Sequence, residues 1–346
     1  MTDAARPLGE LRAGDAALFG GKSAALGELL VAGIDVPPGF GLSADAFRVF
    51  LVEAGLERTV ADAVAPVTAG DVDSVGAASH AIGEAMRFAP MPETVRDEIA
   101  AQYARLGEDA PVAVRSSAIG EDSEEATFAG QQDTYLWVRG VEHVCDAVRD
   151  CWVSLYSPPA ISYRARLGRA EKPPAMGVAV QLMVDAEVSG VMFTCNPVSG
   201  DPSMVAINAS WGLGLAVVGG EVTPDDYLVS KVTGEVVRVH VHSKHVEYVP
   251  DPSGGGAVRV GVPTERAERA CLDQPAMEQL IEVGKRVERH FGSHQDIEWA
   301  IARGSSELFV VQARPVTGLA KGPDQPRAAS AMSLIMGTFG AGPPTD

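Results

Sequence analysis

Two clusters of residues in this chain have the chemistry to hold a phosphate. The first is Gly20-Gly21-Lys22-Ser23, a glycine turn followed by a lysine at the start of a helical pattern. Unpaired N–H groups and the dipole at a helix N-terminus favour an anion, and the ammonium adds a point charge. A solvated lysine after a Gly-Gly turn fits the same string, and the G-x-x-x-x-G-K-S spacing of a Walker A loop is missing. The second cluster lies in two apolar stretches, Asp296-Ile297-Glu298-Trp299-Ala300-Ile301 and Val310-Val311-Gln312-Ala313-Arg314-Pro315. Strand alternation turns Asp296 and Glu298 one way and Ile297, Trp299 and Ile301 the other; Gln312 and Arg314 share a face. If these strands pair, two carboxylates, an amide and an arginine converge. Glu298 and the Gln312 carbonyl are hard oxygen donors suited to Mg²⁺ bridging phosphates, and Arg314 suits the phosphates themselves. A structural arginine–carboxylate pair on a half-exposed sheet satisfies the same pattern.

Arg115 interrupts the apolar run Val112-Ala113-Val114 and shares a strand face with Ser117. A guanidinium placed there needs an anionic partner, either a carboxylate or a phosphate. The histidines are a different matter. In Val239-His240-Val241-His242-Ser243-Lys244-His245, alternation puts His240 and His242 on one strand face, and exposed strand histidines are favoured over a metal site. His80, His143, His290 and His294 stand singly, none in a Gly/Thr/Ser-rich loop that would present a nucleophile. Cys145, Cys151, Cys195 and Cys271 show no C-x-x-C spacing and read as free thiols.

Positioning these groups requires both helices and strands. Periodicity predicts a helix over 22–32, a turn over 36–40, mostly helical structure over 43–107, and a helix over 275–291. Strands are predicted over 111–117, 132–138, 177–184, 188–194, 204–209, 296–302 and 307–313, with a hairpin arm over 235–249. The stretch 121–130 reads as an acidic loop, and 319–346, rich in Gly, Pro, Ala and Ser, as a loose tail. Mixed elements in this order make an α/β or α+β protein of two lobes.

At 346 residues and 46% hydrophobic the chain can bury a sizeable core. Its net charge of −18 argues against a nucleic-acid or anionic-membrane partner, yet a local cationic pocket with a metal can still hold a triphosphate. No apolar run reaches the roughly 20 residues of a bilayer span, and the first residues lack a signal-peptide pattern, so a cytoplasmic location is expected.

Taken together, several strings resemble the ATP-binding region of the phosphoenolpyruvate synthase and pyruvate phosphate dikinase family, which rifampicin phosphotransferase shares. They are Gly20-Gly21-Lys22-Ser23-Ala24-Ala25-Leu26-Gly27-Glu28, Val112 to Ala118, and Phe128-Ala129-Gly130-Gln131-Gln132-Asp133-Thr134-Tyr135. Ser189 to Thr194, Trp211 to Gly214, Val222 to Asp225, Gln295 to Ala300 and Gln312 to Thr317 follow in the family's order. The resemblance spans about residues 8–318. It implies an ATP-grasp-like fold with the nucleotide between an N-terminal lobe (1–183) and a C-terminal lobe (184–318). In that frame Lys22, Arg115 and Arg314 act on the phosphates. Gln181, Met183 and Val184 form the hinge against adenine. Glu298 and Gln312 hold Mg²⁺ and Asp296 supports them, while Gln132, Thr134 and Glu221 complete the nucleotide set. Where the family often has Gly-Leu-Gly-Glu, this chain has Gly212-Leu213-Gly214-Leu215, and Glu221 is the candidate to supply the missing carboxylate.

Family members also carry a swivelling domain with a phosphorylatable histidine, and no such loop occurs here. The resemblance is therefore to the ATP-binding subunit of two-subunit systems such as phenylphosphate synthase and cresol-phosphorylating enzymes. It implies transfer of a phosphoryl or pyrophosphoryl group from Mg-ATP to a histidine on a partner subunit, giving AMP and phosphate overall. A small-molecule acceptor such as a phenol, cresol or pyruvate would be phosphorylated on the partner. Two other readings stand beside it: an ATP-grasp ligase making an acyl phosphate and ADP, and a nucleotide-binding module without turnover.

Overall fold

The computed structural model describes residues 4–119, 134–168, 174–253 and 256–316. The predicted acidic loop, Gln132 and the predicted tail lie outside them. The chain divides into two compact units: Met1–Gly27 with Pro38–Met183, and Glu28–Pro37 with Val184–Asp346. The short segment Glu28–Pro37 thus belongs with the second unit, against the linear division at 183/184.

In the first unit, strands β1 (Ala5–Pro7), β2 (Gly39–Leu42), β3 (Val112–Ala118), β4 (Thr134–Val138) and β5 (Met176–Leu182) form a sheet in the order β1-β2-β5-β3-β4. Every pairing in it is antiparallel. Helices α1 (Ala16–Phe19) and α2 (Gly21–Val31) precede β2. Six more follow: α3 (Ala44–Glu53), α4 (Glu57–Val64), α5 (Val72–Phe88), α6 (Glu93–Ala104), α7 (Val141–Ser154) and α8 (Pro158–Arg166). Residues of α3 to α8 bury their apolar faces together with Val112, Val114, Val178 and Val180 of the sheet. Trp152 of α7 anchors this core, its ring 5.5 Å from that of Phe47 and 5.2 Å from that of Phe50.

The predicted turn over 36–40 is overturned in part. Pro37-Pro38 does turn the chain, but Gly39 already enters β2, which bridges β1 and β5. The strand is only four residues long, so alternation of Phe40 and Leu42 was too brief to register against two prolines. Strand β5 likewise ends at Leu182 rather than Val184. Met183 lies just beyond it, its N–H donating to the Pro111 carbonyl at 2.9 Å.

The second unit holds a six-stranded sheet in the order β13-β12-β6-β7-β8-β9. Its strands are β6 (Ala186–Phe193), β7 (Met204–Trp211), β8 (Asp225–Ser230), β9 (Val236–His240), β12 (Gln295–Ala302) and β13 (Leu308–Pro315). A separate ribbon pairs β10 (Val246–Pro250) with β11 (Ala257–Gly261). The helices are α9 (Leu215–Val218), α10 (Thr264–Ala267) and α11 (Gln274–Phe291). Helix α11 is capped by Asp273, whose carboxylate accepts from the Ala276 N–H, and ends at Gly292 in the left-handed region. Gly284 lets α11 sit on the sheet, since a β-carbon there would lie 3.1 Å from the Met192 methyl.

The predicted hairpin arm over 235–249 does not form. Strand β9 pairs with β8, and β10 pairs with β11 in the other sheet. Between them the chain is pulled inward by Asp225, at the start of β8. That carboxylate accepts from the His242 N–H at 2.9 Å, from Lys244 Nζ at 2.6 Å and from the Cys271 N–H at 2.8 Å. Asp225 and Lys244 are both fully buried. A charged pair so enclosed survives because its remaining bonds are also made: Lys244 Nζ donates to the His242 carbonyl, and the Tyr227 hydroxyl donates to Asp225.

Candidate functional site

In the first unit, the candidate residues lie on the sheet face turned away from the helical core. Val112 and Val114 point into that core, so alternation leaves Ala113, Arg115 and Ser117 on the opposite face. The antiparallel register places Ala179 and Thr134 beside Arg115, Gln181 beside Ala113 and Gly177 beside Ser117. Arg115, Thr134, Ser117 and Gln181 therefore share one surface. Arg115 is half-buried, Thr134 is exposed and Gln181 is buried.

The start of α2 packs onto the end of this surface. Gly20 has φ = 80°, and a β-carbon on it would lie 2.0 Å from the Ser117 carbonyl oxygen. Gly177 opposes Ser117, and a β-carbon there would meet the Phe19 carbonyl at 2.2 Å. Two absent side chains thus allow the backbone to close on β3 and β5. The Ser117 hydroxyl accepts from the Ser23 N–H at 3.2 Å, satisfying one donor of the helix's first turn. Lys22 sits in that turn with only 8% of its surface exposed. Sequence reasoning placed Ser117 on the face of Arg115 but assigned it no task; the signal was there in its pairing with a glycine.

The second unit supplies the converging ladder that alternation predicted. Strands β12 and β13 pair antiparallel, with Asp296 opposite Arg314 and Glu298 opposite Gln312. Cross-strand partners share a face, so all four side chains point to one side. The register shifts by a bulge after Glu298, and pairing resumes with Trp299 opposite Val310. Asp296, Glu298 and Gln312 are each more than nine-tenths buried. Arg314 Nε donates to Asp296 Oδ2 at 3.0 Å, fixing the guanidinium while 31% of that side chain stays exposed. Asp296 thus orients Arg314 directly.

The same face carries Val191 and Phe193 of β6, opposite Glu298 and Asp296, and these pack with Ala216, Val217 and Val222. The segment from Leu215 to Val222 accordingly lies over the acidic side of the sheet. Glu221 follows α9, and both its oxygens are engaged: Tyr248 Oη donates to Oε1 and Arg259 Nε to Oε2, each at 2.6 Å. The Arg259 bond first, then the Tyr248 bond, hold this carboxyl below the usual range. Glu221 is therefore ionised and tied to the β10–β11 ribbon. Val184 falls in the connection before β6, half-buried.

Oxygen donors on adjacent strands, two of them a buried carboxylate and an amide facing each other, match the preference of Mg²⁺ for hard ligands. Among the described residues no group of three or more His, Cys, Asp or Glu could hold a metal. A Mg²⁺ at Glu298 and Gln312 would take its remaining ligands from water and phosphate, the usual habit of this ion.

The histidines do not share a strand face. Strand β9 stops at His240, and His242 turns to donate from Nδ1 to the Pro224 carbonyl at 2.8 Å. His290 lies 2.7 Å from Glu28 and His294 2.6 Å from Glu288. All four cysteines are free and buried. No helix among the described residues is long and apolar enough to cross a membrane.

This mixed α/β chain with a glycine-led helix start, an arginine on a strand face and a carboxylate–amide–arginine ladder carries groups of the kind that hold phosphate and a hard cation. The family model "Pyruvate phosphate dikinase, AMP/ATP-binding domain" matches residues 16–333, and the chain belongs to that family. It is 42% identical to a probable phosphoenolpyruvate synthase of Methanocaldococcus jannaschii over 93% of this chain and 27% of that one. It is 40% identical to a probable phosphoenolpyruvate synthase of Methanothermobacter thermautotrophicus, covering 96% of this chain and 49% of the relative. The phosphoenolpyruvate synthase of Pyrococcus furiosus is 37% identical over 90% of this chain and 43% of its own length. The chain spans between about a quarter and a half of these relatives.

Proposed function

We propose that this chain binds Mg-ATP and passes a phosphoryl or pyrophosphoryl group to a histidine carried by a separate subunit. In this reading the frame is ATP-grasp-like. The observation that carries it is the ladder of Asp296–Arg314 and Glu298–Gln312, supported by membership of the dikinase ATP-binding family. Lys22 and Arg115 neutralise phosphate oxygens from the first unit, and Arg314, held by Asp296, does so from the second. Gln181, Met183 and Val184 border the base, with Gln132, Thr134 and Glu221 in the nucleotide set. Glu298 and Gln312 hold Mg²⁺, which supplies charge neutralisation between phosphates.

For this chain such catalysis is positioning plus electrostatic stabilisation, because the bond to phosphorus is formed by the histidine of the partner as the bond within the triphosphate breaks. Overall, ATP, water and an acceptor become AMP, phosphate and the phosphorylated acceptor. The acceptor is a small molecule bound on the partner, a phenol, a cresol or pyruvate, and the proposed setting is the cytoplasm.

AMP should form from ATP only when the histidine-bearing partner is added; rapid ADP release by the chain alone would reject the scheme in favour of a ligase. A binding test needs no partner. Titration of the Mg²⁺ complex of a β,γ-imido ATP analogue should show Arg314→Ala binding roughly 10- to 100-fold more weakly, the worth of a charged hydrogen bond. Unchanged affinity removes Arg314 from the site.

A further inference from the structure

Strand β9 is the outer strand of the six-stranded sheet, and no strand pairs with its free side among the described residues. Most edge strands are short, charged or covered, because their unpaired N–H and C=O groups recruit other chains. This one is apolar. Val237 is 57% exposed, Val239 42% and Val241, just past the strand, 41%. Alternation sets Val237 and Val239 on one side, and Val232, in the preceding turn, is 82% exposed. Four large aliphatic groups in open solvent mark a contact surface.

A groove of about 910 Å³ runs between this hairpin and helix α11, lined by Val232, Glu235, Val237, Glu278, Glu282 and Lys285 among others. Its charge is lopsided. Lys285 donates to Glu282 at 2.7 Å, and among the described residues no cation pairs with Glu235 or Glu278. Glu278 accepts from the neutral amide of Gln274, and Glu235 from the neutral hydroxyl of Thr233. The single basic residue on β9 itself, Arg238, is turned to Asp226 of β8 at 3.2 Å.

We infer that β9 and this groove are a docking site for an extended segment of another polypeptide, one that carries aliphatic and basic residues in turn along one face. The segment adds a strand to β9, sets an aliphatic side chain beside Val239 and, two residues along on the same face, turns a lysine or arginine toward the groove carboxylates beside Val237. A second copy of this chain fits less well. Antiparallel pairing of β9 about its central residue would set Arg238 against Arg238, and each copy would bring the same acidic groove.

The probe is a synthetic octapeptide with valine and lysine in turn at every second position and threonine between them, with a second version N-methylated on alternate residues so that one edge cannot donate hydrogen bonds. The intact chain should bind the first by calorimetry and the N-methylated one at least about tenfold more weakly. The triple change Glu235→Gln, Glu278→Gln, Glu282→Gln should weaken the first peptide by about tenfold, in line with exposed ion pairs. Val237→Asn with Val239→Asn, both at exposed positions, should do the same. No binding, or equal binding of both peptides, overturns the inference. So does a concentration-dependent dimer by sedimentation that the two asparagines abolish, which would assign the edge to self-pairing.

Discussion

Gly20 is the residue on which the start of α2 closes against β3, beside the surface proposed to meet phosphate. Its φ of 80° and the 2.0 Å approach of a would-be β-carbon to the Ser117 oxygen are separate penalties for any side chain. Gly20→Ala should therefore destabilise the protein by about 1–3 kcal/mol through overpacking against backbone, measured by denaturant unfolding. It should also loosen the nucleotide analogue, because the start of α2 must lift from β3 and carry Lys22 with it. Full affinity in a folded Gly20→Ala protein would separate Lys22 from the phosphates. At this scale the sequence was informative where chemistry and alternation coincide. Asp296, Glu298, Gln312 and Arg314 could be placed on one face from their spacing alone, and the register puts them there. Asp225 could not be read that way. Its partners Lys244, His242 and Cys271 lie 17 to 46 positions downstream, and nothing local announces them.

Among the elements, long ones with clear periodicity were legible and short ones were not. Helix α11 runs over Gln274–Phe291 against a predicted 275–291, because its apolar residues recur at helical spacing between an aspartate cap and a glycine. Strand β2 was hidden behind Pro37-Pro38. Strand β8 opens with two aspartates, which are poor strand formers until Asp225 finds Lys244. The hairpin arm failed for the same reason: a buried ion pair outweighed the local preference of Val236 to Val249 for a simple turn-and-return. Packing of the helices on the first sheet depends on Trp152, which is fully buried between Phe47 and Phe50. Trp152→Ala should cost about 3–5 kcal/mol, the usual range for emptying so large a site. Thermal or denaturant unfolding followed in the first unit would check it, and a loss under 1 kcal/mol would mean that α3 and α7 close over the gap.

On the scale of the whole chain, each of the two units encloses thiols that burial makes reluctant to ionise. Burial pushes the Cys145 thiol in the first unit and the Cys195 thiol in the second up to about 11, from an ordinary value near 9. Cys271 is raised as well, by burial and by Asp225 beside it. An acid raised in the folded state keeps its proton when the unfolded chain would release it. Stability is therefore complete below pH 9 and falls as pH climbs from about 9 to 11, by up to roughly 2–3 kcal/mol per thiol. Denaturant midpoints measured across that window should drop. Cysteine-to-serine replacement tests the cause by flattening the slope, and a midpoint constant to pH 11 would refute it. Two units also mean that unfolding need not be one transition, so probes in each should be followed separately.

The enclosed Lys244–Asp225 pair has a practical corollary. Lys244 has no surface accessible to water, so an acylating reagent or a trypsin-like protease can reach it only when β8, the 241–245 connection and the approach to Cys271 come apart together. The amine is in effect a built-in chronometer: its rate of labelling, set against that of exposed lysines, reports how often the second unit opens at its centre.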